Sequence, residues 1–327
     1  MLIISHSQVR ELLPMRDCME AVAEALSDLA RGEGIQPLRA GVRLPGGQGV
    51  LAWMPASLAS GNPFGVKILS VFDNASEMGL DSHQGGVMIF DPANGRPLAL
   101  AEAGAITAIR TAAVTALATD RLALANATTL AILGAGTQAR SHIEAMLEVR
   151  PITRIRLWSR TLAKAERFAK EESARHGVAI DAVSGVAAAV EGADIVVTAT
   201  SARKPILPGD LLREGMHVNA VGASVPSWRE LDSEVVRRST LFTDRRESLE
   251  NEAGEYRLAL DEGVIDEDHL QAEIGDILIG RHPGRTSDDE ITLFRSLGLA
   301  VEDLAATSLV YERAVDRRIG TLVDLSR

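Results

Sequence analysis

The feature that most constrains this chain of 327 residues is a glycine-rich segment near its centre. Gly134, Gly136 and Ala139 follow the apolar run TLAIL and open a segment with helical periodicity, TQARSHIEAMLEV. In a strand–turn–helix unit, the first glycine permits a tight turn, the second lets the backbone approach a pyrophosphate, and a small third residue lets the helix pack on the strand. Free N–H groups at the helix start, here those of Thr137 and Gln138, favour that anion. The segment therefore predicts a dinucleotide site.

The segments that follow this motif alternate between strand and helix patterns. The runs RIRLWSR, GADIVVTAT and MHVNAVGAS predict strands, and LAKAERFAKEESARHG predicts a helix. This alternation predicts an α/β fold with a doubly wound parallel sheet, the Rossmann arrangement, in the middle of the chain. Elsewhere the patterns predict an amphipathic helix at 15–31, an antiparallel sheet within 38–97, and helices at 101–120 and about 299–318, the last closed by Gly320.

Charge and composition exclude several classes of protein. A formal net charge of −11 would repel a phosphate backbone, so no nucleic-acid partner is expected. No apolar run approaches the roughly 20 residues that span a bilayer, and the first residues lack a signal-peptide pattern, so we expect a cytoplasmic protein without a membrane partner. The single cysteine, Cys18, shares a helical face with Val22 and Leu26, which indicates a buried apolar role. The histidines show no HExxH or Cys/His spacing, so no metal is expected.

The residues after the second strand of the central unit indicate which dinucleotide is bound. A site specific for NAD usually has an acid about 20 residues beyond the glycines, where it binds the ribose 2′-hydroxyl. Ser159, Arg160 and Thr161 occupy that region instead, and a guanidinium there binds a 2′-phosphate with two hydrogen bonds. We therefore expect NADPH as the cofactor, with NADH as the alternative. Further cofactor contacts are expected after later strands, at Thr198, Thr200, Val221, Gly222 and Ser296.

Several segments in fixed order resemble the ornithine cyclodeaminase/μ-crystallin family, and together they cover nearly the whole chain. They include QPLR at 36–39, FDPANG at 90–95, ITAIRTAAV at 106–114, ILGAGTQA at 132–139, NAVGAS at 219–224 and TLFRSLGLAVED at 292–303. The resemblance implies a homodimer. It also implies an α+β substrate-binding and dimerisation domain, 1–115 with 305–327, and a Rossmann domain at 116–304.

The resemblance also implies which residues bind the substrate. Lys67 and Arg110 match the family's positions that hold the substrate carboxylate, Arg39 falls in its QPLR motif, and Met54 and His83 lie in the similar segments MPA and SHQ. The residues themselves support Arg110, because a charge within the apolar run AGAITAIRTAAV needs a partner if it is buried. Lys67 alone is equally consistent with an edge-strand lysine that faces water.

Ser224 bears on which reaction of the family is expected. Ornithine cyclodeaminase has an acid in the segment after NAVG, which serves deamination and cyclisation, and Ser224 takes that place here. Since serine is no carboxylate base, we expect simple hydride transfer: the reduction of a cyclic imino acid such as 1-pyrroline-2-carboxylate or 1-piperideine-2-carboxylate, with Lys67, Arg110 and Ser224 as catalytic residues. The alternatives are an amino-acid dehydrogenase similar to alanine dehydrogenase, ornithine cyclodeaminase, and a non-catalytic protein that binds the cofactor or a ligand.

Overall fold

The computed structural model describes residues 1–72, 83–222 and 224–325, and the chain divides into two compact units. Unit 1 comprises Met1–Ala113 and Gly298–Arg327, and unit 2 comprises Val114–Leu297. The sequence placed the second junction at 304/305, inside the last helical segment. The structure has it before that segment, because the helix packs along its length within unit 1.

Within the described ranges, unit 1 contains a seven-stranded mixed sheet in the order β15-β1-β6-β5-β4-β3-β2. The strands are β1 (Leu2–Ile4), β2 (Ala40–Arg43), β3 (Gly49–Ser57), β4 (Phe64–Phe72), β5 (His83–Phe90), β6 (Pro97–Glu102) and β15 (Thr321–Leu322). Its helices are α1 (His6–Leu12), α2 (Met15–Arg31), α11 (Ala300–Arg317) and the first part of α3 (Ala103–Leu122).

The strands β2 to β6 pair in antiparallel fashion, as the sequence predicts for 38–97. One face of this sheet packs against α11, which also contacts α2. The sequence predicts this helix over about 299–318 with Gly320 closing it, and α11 has nearly these bounds, but its C-cap residue is Arg318. Arg318 adopts the left-handed conformation (φ 57°), and its N–H bonds the carbonyls of Ala314 and Val315. The free carbonyls of the last turn are thereby satisfied before Gly320 is reached.

Unit 2 contains an eight-stranded sheet, counted over the same ranges, in the order β13-β12-β14-β11-β10-β7-β8-β9, and every pairing is parallel. The strands are β7 (Thr129–Leu133), β8 (Arg154–Trp158), β9 (Ala179–Val183), β10 (Ile195–Thr198), β11 (His217–Ala220), β12 (Thr240–Thr243), β13 (Leu270–Glu273) and β14 (Thr292–Arg295). The helices are α4 (Thr137–Val149), α5 (Leu162–His176), α6 (Val186–Val190), α7 (Ser233–Arg238), α8 (Arg246–Glu252), α9 (Gly254–Asp261) and α10 (Ile274–Leu278).

The strand order of unit 2 confirms the predicted doubly wound sheet. From β7 the chain runs outward through β8 and β9, and then returns to place β10 on the other side of β7. This reversal creates a crevice outside the carboxyl ends of β7 and β10, where ligands bind in folds of this kind. The glycine motif directly follows β7, so the fold brings it to this crevice.

Three further findings concern the role of Cys18, membrane-spanning helices and metal sites, all of which the sequence analysis considered. Cys18 is fully buried on α2, and burial raises the pKa of its thiol. Across the residues that the structure describes, no helix has both the length and the apolar character needed to cross a bilayer. In that same part of the chain, no three His, Cys, Asp or Glu side chains are grouped so as to hold a metal ion.

Candidate active site

The first element of the site is the turn that leaves β7. Gly134 has φ +136°, a conformation that side chains rarely adopt, and a Cβ there would lie 2.4 Å from the carbonyl oxygen of Ala199. Its backbone N–H donates a hydrogen bond to the carbonyl of Trp158 over 2.8 Å. The turn is therefore pressed between the chain ends of β8 and β10, and only glycine fits.

The second element is the start of α4, which is open to a ligand. Gly136 is the exposed N-cap residue, and nothing lies within 4 Å of a Cβ built on it. The first N–H groups of the helix, from Thr137 onward, have no intrahelical partner. The side-chain Oε1 of Gln138 is buried and accepts no hydrogen bond from the described residues, while Ala139 is fully buried, as close helix packing requires. This open, positively polarised helix end fits a pyrophosphate.

The other predicted cofactor residues lie at the same edge of the sheet. Each lies at or just after the carboxyl end of a parallel strand, and the exposure of their side chains differs. The side chain of Arg160, after β8, is exposed. The side chain of Ser296, after β14, is buried, and its Oγ makes no hydrogen bond to the described residues. Ser159, Arg160 and Thr161 follow β8. Thr198 is the last residue of β10, and Thr200 follows that strand. Val221 and Gly222 follow β11, and Ser296 follows β14.

A buried acid that the sequence reasoning missed joins two of these strand ends. The carboxylate of Glu230 accepts hydrogen bonds from the hydroxyls of Thr198 and Thr200, at 2.7 and 2.6 Å. It also accepts the backbone N–H of Thr200 at 2.6 Å and that of Gly222 at 2.7 Å. Burial raises the pKa of Glu230. The hydroxyl of Thr198 is thus engaged inside the protein, where it is fully buried.

Unit 1 holds a buried cluster of ions around the predicted carboxylate-binding residues. Oδ1 of Asp303 accepts hydrogen bonds from Nζ of Lys67 at 3.0 Å and from Nε of Arg110 at 2.8 Å. Glu302 accepts a second bond from Arg110 at 2.8 Å. All four side chains are at most 5% exposed. Because β4 carries Lys67, α3 carries Arg110 and α11 carries both acids, three elements converge on this cluster.

The structure decides between the two interpretations of Lys67. It does not face water, because its side chain is 2% exposed and lies on the face of β4 that is covered within unit 1. Burial and the neighbouring Arg110 lower the pKa of Lys67 to about 8, although Asp303 opposes the shift. A proton on Lys67 is therefore held less tightly than on an ordinary lysine.

The segment that carries Arg39 is tied to the start of α11. Oε1 of Gln36 accepts the backbone N–H of Val301 at 3.0 Å, and the guanidinium of Arg39 donates to the carbonyl of Gly298 at 3.1 Å. Gly298 has φ +79°, and a Cβ there would lie 2.4 Å from Nη1 of Arg110. Arg39 and Arg110 therefore both lie against the same short backbone segment.

The remaining predicted substrate residues have mixed outcomes. Met54 is buried on β3, directly opposite Lys67 in the strand register. The backbone of His83 opens β5, but its side chain lies outside the described residues, as do Ser82 and Ala223. Ser224 is half-buried in the segment after β11.

Sequence reasoning also did not single out Glu302 or Asp303. The available signal was Arg110 itself, because a buried guanidinium in an apolar helix demands an acidic partner. Both acids lie in the first turn of α11, where a negative charge also interacts favourably with the helix dipole.

Comparisons with known proteins find relatives that match nearly the whole chain. The model of the ornithine cyclodeaminase/mu-crystallin family matches residues 1–318. Ketimine reductase mu-crystallin of Mus musculus is 40% identical over 294 residues, 90% of each chain. A solved structure of Thermococcus litoralis Delta(1)-pyrroline-2-carboxylate reductase in complex with NADH and L-proline superposes with a TM-score of 0.96 at 39% identity, over 99% of this chain and 100% of that one. An archaeal alanine dehydrogenase dimer with bound NAD superposes with a TM-score of 0.92 at 30% identity, over 99% of each chain. The chain therefore belongs to the ornithine cyclodeaminase/mu-crystallin family.

Proposed function

We propose that this protein reduces a cyclic imine that carries a carboxylate beside its C=N bond, with a nicotinamide cofactor as reductant. The observation that carries the proposal is the buried cluster in which Lys67 and Arg110 are held by Asp303 and Glu302. Cations buried in this way suit a small anionic substrate. The names of the mouse and Thermococcus relatives support the same class of substrate, of which 1-pyrroline-2-carboxylate and 1-piperideine-2-carboxylate are our candidates.

The charges of the cluster suit such a substrate. Lys67, Arg110 and Arg39 supply three positive charges, and Arg39 acts on Lys67 closely enough to lower its pKa. Asp303 and Glu302 supply two negative charges. A substrate carboxylate can accept charge-assisted hydrogen bonds from cations of this kind. The two acids also reduce the repulsion that three cations alone would exert on a protonated imine nitrogen.

The proposed reaction gives separate roles to three groups of residues. A bound reduced nicotinamide supplies the hydride. The start of α4 and its glycine turn hold the dinucleotide, and the cations of unit 1 fix the substrate carboxylate and thereby orient the neighbouring imine carbon. Ser224 is our candidate for the hydroxyl through which the imine nitrogen receives its proton.

The test is an oxidation assay for the reduced cofactor with purified protein. We expect turnover with a cyclic imino acid and much slower turnover with pyruvate plus ammonia. Preference for pyruvate plus ammonia would replace the proposal with an amino-acid dehydrogenase, the function named for the archaeal relative. Release of ammonia from ornithine would show that Ser224 does not exclude cyclodeamination. Cofactor binding without turnover of any of these substrates would favour the non-catalytic alternative.

We propose NADPH as the preferred cofactor, although the two solved relatives described above hold NADH and NAD. The support is Arg160, which is exposed after β8 where a 2′-phosphate would lie. We expect Arg160→Ala to raise the KM for NADPH roughly 10- to 150-fold, since a hydrogen bond to a charged group is worth about 1.5–3 kcal/mol. The KM for NADH should barely change. Arg167→Ala, at an exposed position on α5, is the control. Equal effects on both cofactors would contradict this role of Arg160.

We also propose that the protein is a homodimer. The sheet face of unit 1 opposite Lys67 carries a group of large apolar side chains that are 37–50% exposed. Exposed apolar clusters of this kind mark protein interfaces, and the archaeal relative is described as a dimer. The cluster, called here the apolar sheet face, consists of Val42, Leu51, Trp53, Phe64 and Ile68.

A further inference from the structure

We propose that Glu230 is a positioning residue for the cofactor, because it fixes the chain ends of β10 and β11 that border the crevice of unit 2. The inference rests on the proposed binding of a nicotinamide cofactor. Glu230 lies outside the glycine motif, and its side chain is fully buried, so it acts through the segments that it holds.

The hydrogen bonds of Glu230 show what it holds. Among the described residues, four donors to its carboxylate come from the two chain ends: two hydroxyls and one backbone N–H from Thr198 and Thr200, and one backbone N–H from Gly222. An ionised carboxylate offers only acceptors and can satisfy all of them, whereas an amide of the same shape would turn an NH2 group toward donors. The site therefore requires an acid at this position.

The packing around these chain ends leaves little room for movement. A Cβ on Gly222 would lie 2.1 Å from the carbonyl oxygen of Thr200 and 2.6 Å from the carboxyl carbon of Glu230. On the other side, a Cβ on Gly134 would meet the carbonyl oxygen of Ala199. The segment Ala199–Thr200 is thus enclosed between the glycine turn of β7 and the chain end of β11. Replacing Glu230 should therefore also shift the glycine turn after β7, where the pyrophosphate is proposed to bind.

The backbone of Glu230 is itself fixed by a second buried acid, Glu255. Its backbone N–H donates to Oε1 of Glu255 at 2.9 Å, and Oε2 of Glu255 accepts from Nε of Arg295 at 3.0 Å. The guanidinium of Arg295 donates in turn to the carbonyl of Ala220, at the end of β11, over 2.9 Å. Since Glu255 and Arg295 are buried, this relay fixes Glu230 against the strand whose end it supports.

The test compares Glu230→Gln with the unaltered protein and with Glu172→Gln, which changes a fully buried carboxylate on α5. For each protein, NADH and NADPH binding is titrated by fluorescence, and the KM of cofactor and imine, kcat and the thermal midpoint are measured. We expect Glu230→Gln to weaken cofactor binding about tenfold or more and to change the KM of the imine less than about twofold. Glu172→Gln, whose carboxylate pairs with Arg140 on α4, should change cofactor affinity much less than Glu230→Gln does.

Thr198→Val supplies a second test that does not depend on the folding of Glu230→Gln. It removes one donor to Glu230, and the buried hydroxyl of Thr198 reaches a ligand only through that acid. We expect a smaller loss of affinity that is again confined to the cofactor. Equal losses for cofactor and imine, or a lower thermal midpoint with unchanged cofactor affinity, would overturn the inference. Failure of the unaltered protein to bind either cofactor would overturn the proposed function as well.

Discussion

Lys67 and Arg110 show what single residues do and do not reveal about a buried site. Both cations were identified from the sequence, because one lies in an apolar helix and both match family positions. Their acidic partners were not, because Asp303 is 236 residues from Lys67 and 193 from Arg110 along the chain. A buried cation predicts that a partner exists, but the fold decides which acid it is. The same holds for Glu230, whose donors come from 8 to 32 residues away.

The lowered pKa of Lys67 gives the reaction a testable dependence on pH. The protonated amine is the form that attracts a carboxylate, so we expect kcat/KM for the imine to fall as the pH rises through about 8, where Lys67 loses its proton. In Lys67→Arg the guanidinium keeps its charge at any such pH, so the fall should move to higher pH. A profile that is identical in both proteins would assign the fall to another group, such as the imine itself.

At the scale of helices and strands, long periodic segments were predicted well and short ones were not. The helices α2 and α4 have the predicted bounds, Met15–Arg31 and Thr137–Val149. Between 233 and 278, however, the elements α7 to α10, β12 and β13 are four to eight residues long. Such segments contain at most about two helical turns, so their periodicity is too short to recognise, and packing on the sheet determines them.

Changing each glycine of the cofactor turn to alanine should affect stability and cofactor binding differently. Gly134→Ala forces a side chain into a positive-φ conformation and against Ala199, so it should lower the free energy of unfolding by about 1–3 kcal/mol and also weaken cofactor binding. Gly136→Ala meets no atom within 4 Å and has an ordinary φ of −127°. It should leave the thermal midpoint unchanged and still weaken cofactor binding by more than about tenfold.

Thermal unfolding and NADH titration of both variants would separate these effects. Unchanged NADH affinity in Gly136→Ala would mean that the pyrophosphate does not approach the start of α4. An unchanged midpoint in Gly134→Ala would mean that the turn is less constrained than its contacts indicate.

At the scale of the whole molecule, the fold class of each unit could be predicted from the sequence, but the position of the apolar sheet face could not. The central sheet was predictable because strands and helices alternate along the chain. Which side of β2 to β4 would be covered depends on where α11 packs, and α11 lies more than 200 residues further along the chain. The homodimer was expected only from the family resemblance.

The proposed dimer can be tested with a single charge. Ile68 lies within the apolar sheet face and is 47% exposed, so Ile68→Glu should convert a dimer into a monomer by placing an unpaired charge in the interface. Light scattering after size exclusion measures the mass. Val315→Glu, at an exposed apolar position on α11, should remain dimeric. A monomeric unaltered protein, or a dimer that tolerates Ile68→Glu, would contradict the proposed interface.

The central claim is that a hydride passes from the cofactor to the imine carbon beside the carboxylate. It is tested most directly with reduced cofactor that carries deuterium at both C4 positions, incubated with 1-pyrroline-2-carboxylate or 1-piperideine-2-carboxylate and the purified protein. The account predicts proline or pipecolate with one deuterium on the α-carbon, formed in proportion to the cofactor consumed. A product without deuterium, or no reduced product from either imine, would contradict it.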